Sequence, residues 1–397
     1  TGTLVTKSTN VARVDYDPAT LVLRGLLIEE ARTNSIRNNT MVGASAGTPG
    51  TAPTNWIMSA AAGNLTALNV IGTGTENGIS YIDLRWITSG AINDVLVFEQ
   101  TTQIVAADTQ TWTGSQYCKL VGGSLTNVAL GNRVQFRTAA GASVSTSDPA
   151  FVPTSASLST QRNITTLTAS GGTIARVTNG ILLTFSGAAD VTLRIGMPQL
   201  ELGAFATSVI STSSAAVTRA SDIASITGAN FTSFWNVTQG TLVARYTVAS
   251  DSSTSIFPGA FSVSDGTTNN RIAMFSRTVD DTNRGLVVAG GVTQADMTIG
   301  TITYGTMLTA ALAYQANNFA YVSNGLAVQT DTSGTLPTVT QADIGTLQGT
   351  NWLNGWISSL SYYPVAVDAV TLTQLASDTM PVFAANDDVF WLTASAR

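Results

Sequence analysis

The chain has 397 residues, a formal charge of -6 and no histidine, and charged residues make up only 11% of it. This excludes histidine acid/base catalysis, histidine metal ligands and histidine pH switches, and a lone cysteine, Cys118, excludes an intrachain disulfide and a cysteine zinc site. With 61 Thr, 35 Gly and only two lysines, Lys7 and Lys119, the chain reads as all-β, because β-branched side chains suit a pleated, half-buried surface.

In chain order, residues 11–31 read as a hairpin. Val14 and Tyr16 precede the turn Asp17-Pro18-Ala19-Thr20, and Leu21-Val22-Leu23 and Leu26-Leu27-Ile28 follow it. Proline at the second turn position presets φ. The hairpin is too short for its own core, so it is expected to pack on a larger domain or a partner chain. Residues 40–53 read as a loop. From about 55 to 215, short strands alternate with turns: 81–86, 94–98, 111–120, 134–136, 181–185 and 191–195. That spacing is the pattern of an antiparallel sandwich. The Ser/Thr/Ala-rich stretch 206–222 reads as a domain junction.

The second block opens with a strand in which Leu242, Ala244, Tyr246 and Val248 share a face. A hairpin follows, from Phe261 to Phe275. Asn324-Gly325 predicts a type I′ turn between strands 319–322 and 326–328. A further strand opens at Asn354-Gly355 and ends at Tyr362-Tyr363. Residues 368–378 are the best helix candidate, capped by Asp368, with Val370, Leu372 and Leu375 facing inward. Residues 381–397 carry Phe383, Phe390 and Trp391 and are expected to dock. The expected divisions are thus a hairpin or attachment segment at 1–40, a sandwich at 41–215, a jelly roll at 216–380 and a docking segment at 381–397. Residues 223–380 alone are expected to fold.

Two stretches tie the chain to a known group. Arg13-Val14-Asp15-Tyr16-Asp17-Pro18 is followed by Arg24-Gly25-Leu26-Leu27-Ile28-Glu29-Glu30-Ala31-Arg32-Thr33-Asn34. Further on, Pro198-Gln199-Leu200-Glu201-Leu202-Gly203 leads to Val217-Thr218-Arg219-Ala220-Ser221-Asp222. This arrangement resembles a module of tailed-bacteriophage structural proteins, in which a carbohydrate-binding-like sandwich precedes a concanavalin A-like or laminin G-like jelly roll. The resemblance implies a virion surface protein, a tail fibre, receptor-binding protein or head spike, made in the host bacterial cytoplasm. It implies bacterial surface polysaccharide and other virion proteins as partners, and a homotrimer. The quoted motifs look architectural and carry no binding residues across.

Other features bound the chemistry. An acidic chain with two lysines is a poor binder of phosphate backbones, so no nucleic-acid partner is expected. No apolar run reaches the roughly 18 residues that span a bilayer, so no membrane insertion is expected. The N-terminus lacks a Met start and a basic leader, so the natural protein is expected to extend upstream. Gly43-Ala44-Ser45-Ala46-Gly47 fits the nucleophile-elbow pattern, but its flanks are loop-like and no histidine can serve it. The acidic pairs Asp15/Asp17, Glu29/Glu30, Asp280/Asp281 and Asp387/Asp388 do not form an evident hydrolytic dyad, and no catalytic residue is assigned. No cofactor is expected. Any metal would be bound by oxygen, and a structural calcium would use Asp280-Asp281-Thr282-Asn283, or Asp265 with Asn269.

Aromatic rings stack on sugar faces, and Arg, Asp and Asn bond hydroxyls. In the strand 81–86, Tyr81, Asp83 and Arg85 alternate with Ile82, Leu84 and Trp86. The first three therefore present an aromatic, an acid and a base on one face. Trp112 and Tyr117 lie on opposite faces of a neighbouring strand, so at most one of them joins. These five are the candidate carbohydrate-binding residues. The rival readings are a tail-spike depolymerase and a structural protein without ligand. Depolymerases of that kind are usually parallel β-helices, and the chain shows no internal repeat.

Overall fold

The computed structural model describes residues 2–59, 62–250, 257–377 and the strand at 390–393. The chain is all-β and antiparallel throughout its paired strands, and it divides into two compact units. The first unit contains residues 2–6, 18–21 and 31–220, and the second residues 7–17, 22–30 and 221 onward. Residues 1–40, expected as one segment, are thus shared between both units.

The first unit is a sandwich of two five-stranded sheets. One runs Arg162–Thr168, Thr111–Gly123, Ala188–Leu202, Ile79–Ser89, Leu65–Glu76. The other runs Ala150–Phe151, Val128–Arg137, Arg176–Phe185, Ile92–Val97, with Ser143–Ser147 also on Val128–Arg137. The alternation seen in the sequence is realised: Ile82, Leu84, Trp86, Cys118, Val134, Ile181 and Leu193 interdigitate between the sheets. A short ladder joins Arg32–Asn34 to Val217–Arg219. Asn34 uses all its hydrogen-bonding capacity. Its Nδ2 donates to the carbonyls of Pro198 (3.3 Å) and Ile210 (3.1 Å), and its Oδ1 accepts from the N–H groups of Ile36 and Leu200, both at 3.1 Å.

The second unit is a second sandwich. Its larger sheet has the central order Leu23–Ile28, Gly355–Tyr363, Gln239–Val248, Met307–Gln315, Asn318–Ser323. Leu242, Ala244, Tyr246 and Val248 share the core face, as their spacing requires. The opposing sheet runs from Ser225–Thr227 through Gln341–Ile344, Gly259–Ser264, Arg271–Arg277 and Thr282–Ala289 to Val292–Thr301.

The two strands of the N-terminal hairpin, Val14–Tyr16 and Leu23–Ile28, belong to this second unit. Leu26, Leu27 and Ile28 pair with Ile357, Trp356 and Gly355, and Ile28 enters the core. Gly25 has φ +128°, and a Cβ there would lie 2.3 Å from the Ile357 carbonyl oxygen, so only glycine allows this approach. The quoted motif residues clamp the hairpin. Arg13 bonds both Glu29 (2.7 Å) and Asp222, Asp222 accepts the Glu29 N–H (2.8 Å), and Glu30 and Asn354 exchange bonds. Trp356 Nε1 donates to Asp15 at 2.8 Å, and Arg24 pairs with Asp17 at 2.8 Å. The apolar face is therefore covered within the chain, although Leu21 and Val22 stay exposed.

Two local expectations are corrected. Asn324 and Gly325 both take positive φ, as a type I′ turn needs, but Leu326–Val328 is not a strand. The Leu326 N–H closes back on the Ser323 carbonyl, and pairing starts only at Gln329. The helix Ala369–Leu375 is capped by Asp368, which accepts from Thr371 N, and buries Leu372 and Leu375; Val370 points to solvent. Its side chain falls off the buried stripe because only i, i+3 spacing repeats here. Phe390–Thr393 pairs with Gly355–Tyr363, whereas Phe383 and Asp387/Asp388 lie outside the described residues.

Candidate functional site

The face carrying Tyr81, Asp83 and Arg85 exists, and its charges are spent on one another. Arg194, opposite Asp83 in the ladder, grips that carboxylate with Nε and Nη2, both at 2.9 Å. Its Nη1 reaches Glu76 at 2.7 Å, and its guanidinium lies 3.6 Å from the Tyr81 ring centroid. Lys119 also bonds Glu76 (3.0 Å), and Arg85 is bidentate to Asp190 (2.8 and 2.5 Å). Burial pushes the Glu76 carboxyl up, but the Leu158 N–H, Arg194 and Lys119 outweigh it and hold it below the usual carboxylate range.

Tyr117 is on this same side, buried against Ile79, Leu158 and Met197. Trp112 points the other way, into the core, as the odd spacing demands. The five sequence candidates are therefore not one groove. Four share a sheet face whose charges are engaged in two separate sets of ion pairs, and Trp112 points to the opposite face.

Trp112 lines a different feature of the first unit, a cleft of about 460 Å³ whose other walls include Ser35, Arg37, Gln103, Val105 and Ser214. Three stretches distant in sequence build it. Asn34 locks the 34–37 backbone in place. Thr212 then fixes residues 36–39 to 210–212: its Oγ1 donates to the Ile36 carbonyl (2.7 Å), and its N–H donates to Asn39 Oδ1 (2.7 Å). This sets Ser35 and Arg37 beside Ser214. The third wall is the loop before Thr111–Gly123, held where Gln110 Oε1 accepts from both Trp112 Nε1 (3.1 Å) and Ala107 N (2.9 Å).

Arg37 is anchored by the buried Glu99, to which it donates from Nε (2.9 Å) and Nη2 (2.8 Å). The Glu99 oxygens also accept the backbone N–H groups of Arg37 and Gln100. The carboxylate behind the cleft is thus fully committed to holding a guanidinium. The cavity is lined by the largely buried Trp112, one arginine, hydroxyls, an amide and exposed Val105. Sequence reasoning missed Arg37, Gln103, Val105 and Ser214. Only Trp112 carried a signal there, because the walls meet only in the folded chain.

The other site candidates have structural duties. Ser45 sits in a loop bridge with Thr51, with no helix after it. Asp280 meets Arg277, Arg284 and Thr282, and Asp265 binds Thr267 and Asn270. Among the described residues no cluster of three or more acidic or cysteine ligands occurs. Cys118 is buried, and burial pushes its thiol far up. In the second unit, the gap between Phe234, Phe261 and Tyr362 is about 10 Å³, room for no more than a water molecule.

No protein-family model and no curated protein matches the chain. Among solved structures it is similar to the Ruminococcus gnavus IT-sialidase CBM40 bound to α2,6-sialyllactose, at 16% identity over 36% of this chain and 85% of that one, with a TM-score of 0.31. It is also similar to a NanB sialidase mutant from Streptococcus pneumoniae, at 15% identity over 38% of this chain and 26% of that one, TM-score 0.31. A third is the heptameric SAP-like pentraxin of Limulus polyphemus, at 17% identity over 40% of this chain and 83% of that one, TM-score 0.28.

Proposed function

We propose that the protein is a glycan-binding protein of a bacteriophage surface, and that its first unit holds a bacterial surface polysaccharide in the cleft between Arg37, Gln103 and Trp112. The cleft carries this reading. It is concave, it is lined by Trp112 and a fixed arginine, and it adds hydroxyl and amide groups of the kind that bond sugar hydroxyls. The virion assignment rests on the motif resemblance of residues 13–34 and 198–222. Its adjacent carboxylate is bound to Arg37, so this site supports binding and offers no acid/base pair for glycosidic cleavage.

Such a site binds weakly, with Kd on the order of 0.1–1 mM. Display of several copies, a homotrimer in the fibre arrangement, then supplies avidity. The test is binding of host polysaccharide to Gln103→Ala and Ala215→Trp. Both residues are exposed cleft positions, so the fold survives their exchange. The expected result is a loss of about tenfold or more. Full binding in both, with loss in Tyr81→Ala, would instead move the site to the 81–85 face. Sustained release of reducing ends by the purified protein would favour the depolymerase.

A further inference from the structure

The charge of the chain is unevenly placed. Residues 31–220 hold ten Arg and Lys against eight Asp and Glu, a net +2, while the remainder carries -8. Five of these ten cations are neutralised by a carboxylate: Arg37 by Glu99, Arg85 by Asp190, Arg133 by Asp148, and Lys119 and Arg194 by Glu76 and Asp83. Of the others, Arg137 and Arg176 are distinguished by their position. They stand directly opposite each other in the ladder between Val128–Arg137 and Arg176–Phe185. Their alternation with the core residues Phe136 and Val177 puts both on the outer face.

Neither has a carboxylate partner. Arg137 Nη1 donates to the Gly141 carbonyl (2.8 Å) and Arg176 Nη1 to the Ala175 carbonyl (3.0 Å), and no other hydrogen bond is made by either guanidinium among the described residues. Like charges facing each other across strands are destabilising. Burial and the nearby Arg133 both pull the Arg137 pKa down.

The pair is also continuous with the cleft. Val105, which lines the cleft, forms a bridge with Arg176, and Arg137 pairs in turn with Ser143. Val105, Arg176, Arg137 and Ser143 thus form one row leading out of the cleft. We propose that Arg137 and Arg176 are an anion subsite, receiving the oxyanion of an acidic sugar unit while a neighbouring unit occupies the cleft. The ligand is then an acidic polysaccharide. This rests on the cleft reading for the neighbouring unit, but the arginine pair can be tested alone. Guanidiniums carried from directly opposed ladder positions, neither engaged with a carboxylate, offer the charge-assisted, forked donors that carboxylates and phosphates select.

The experiment follows the arginine Nε–Hε and tryptophan Nε1–H NMR signals of the full chain during titration with sodium galacturonate, galactose 6-phosphate and galactose. Saturable movement of Arg137 and Arg176 with the anions and not with galactose is expected. Tighter binding of galacturonate identifies a uronate polymer, and tighter binding of the phosphate a phosphate-bearing one. Arg176→Gln should weaken either anion about tenfold. It should also melt no lower than the parent without ligand, since it relieves a like-charge pair. No saturable arginine shift with either anion, or a lower melting point with unchanged anion affinity, overturns the proposal. Arginine shifts with host oligosaccharide that leave the Trp112 signal still would sink the cleft reading and keep the anion subsite.

Discussion

At Glu76 and Asp343, two carboxyls respond to acid in opposite directions, and the cause is visible at each. Glu76 is held below its usual range by a backbone N–H, Arg194 and Lys119, against the opposing effect of burial. Its contribution to stability is therefore complete above the ordinary carboxylate pKa and lost as pH falls through the lower folded value. Asp343 is buried beside Ser264 and Gln341 with no ion pair among the described residues; burial raises its pKa more than those bonds lower it. Its ionisation penalises the fold, so stability present below the ordinary aspartate pKa is lost as pH rises through the raised value. Denaturant melts from pH 3 to 8 check both. Glu76→Gln should lose stability at pH 7, with the deficit shrinking in acid. Asp343→Asn should be at least as stable as the parent at pH 7, with its advantage vanishing in acid.

The hairpin illustrates how an element depends on a few contacts. Its strand Leu23–Ile28 reaches the Gly355–Tyr363 strand only because Gly25 has no Cβ, and its base is tied by Arg13 to Glu29 and Asp222. Removing Arg13 takes away the guanidinium that both Glu29 and Asp222 accept from. Arg13→Ala should destabilise the second unit by roughly 2–4 kcal/mol, read from chemical denaturation. Gly25→Val should release amide protection at residues 23–28 and 355–357 in hydrogen exchange, while the first unit keeps its protection. Unchanged protection in that variant would mean that the close approach to Ile357 is not what seats the strand.

At the scale of the molecule, the chain order and the spatial order of the units differ. The sheet of the second unit takes two strands from residues 14–28, which precede the whole first unit in sequence. Residues 223–380, expected to fold alone, lack those strands, Asp222 and the partners of Asn354 and Trp356. That fragment should be largely unfolded or aggregating by circular dichroism and light scattering, and a synthetic peptide of residues 7–30 should restore its β signal. Residues 31–220 contain both sheets of the first sandwich and should fold unaided. Cooperative folding of 223–380 without the peptide would show that the hairpin only decorates an already stable sheet.

Much of this was legible from local pattern. Alternation with period two put Leu242, Ala244, Tyr246 and Val248 in a core and Tyr81, Asp83 and Arg85 on one face, because side-chain direction along a strand depends only on parity. Asn324-Gly325 and Asp368 announced a turn and a cap, since both act within a few residues. Partners across the sheets were not legible. That Asp83 is consumed by Arg194, that Arg37 and Trp112 share a cleft, and that Arg137 faces Arg176 all depend on register between strands tens to more than a hundred residues apart. The sequence by itself determined the all-β class, the strand faces and the exclusion of histidine chemistry, each a property of composition or local spacing. Only the tertiary structure decided which charges are paired with an opposite charge and which are not, because ion pairing is a matter of distance in space.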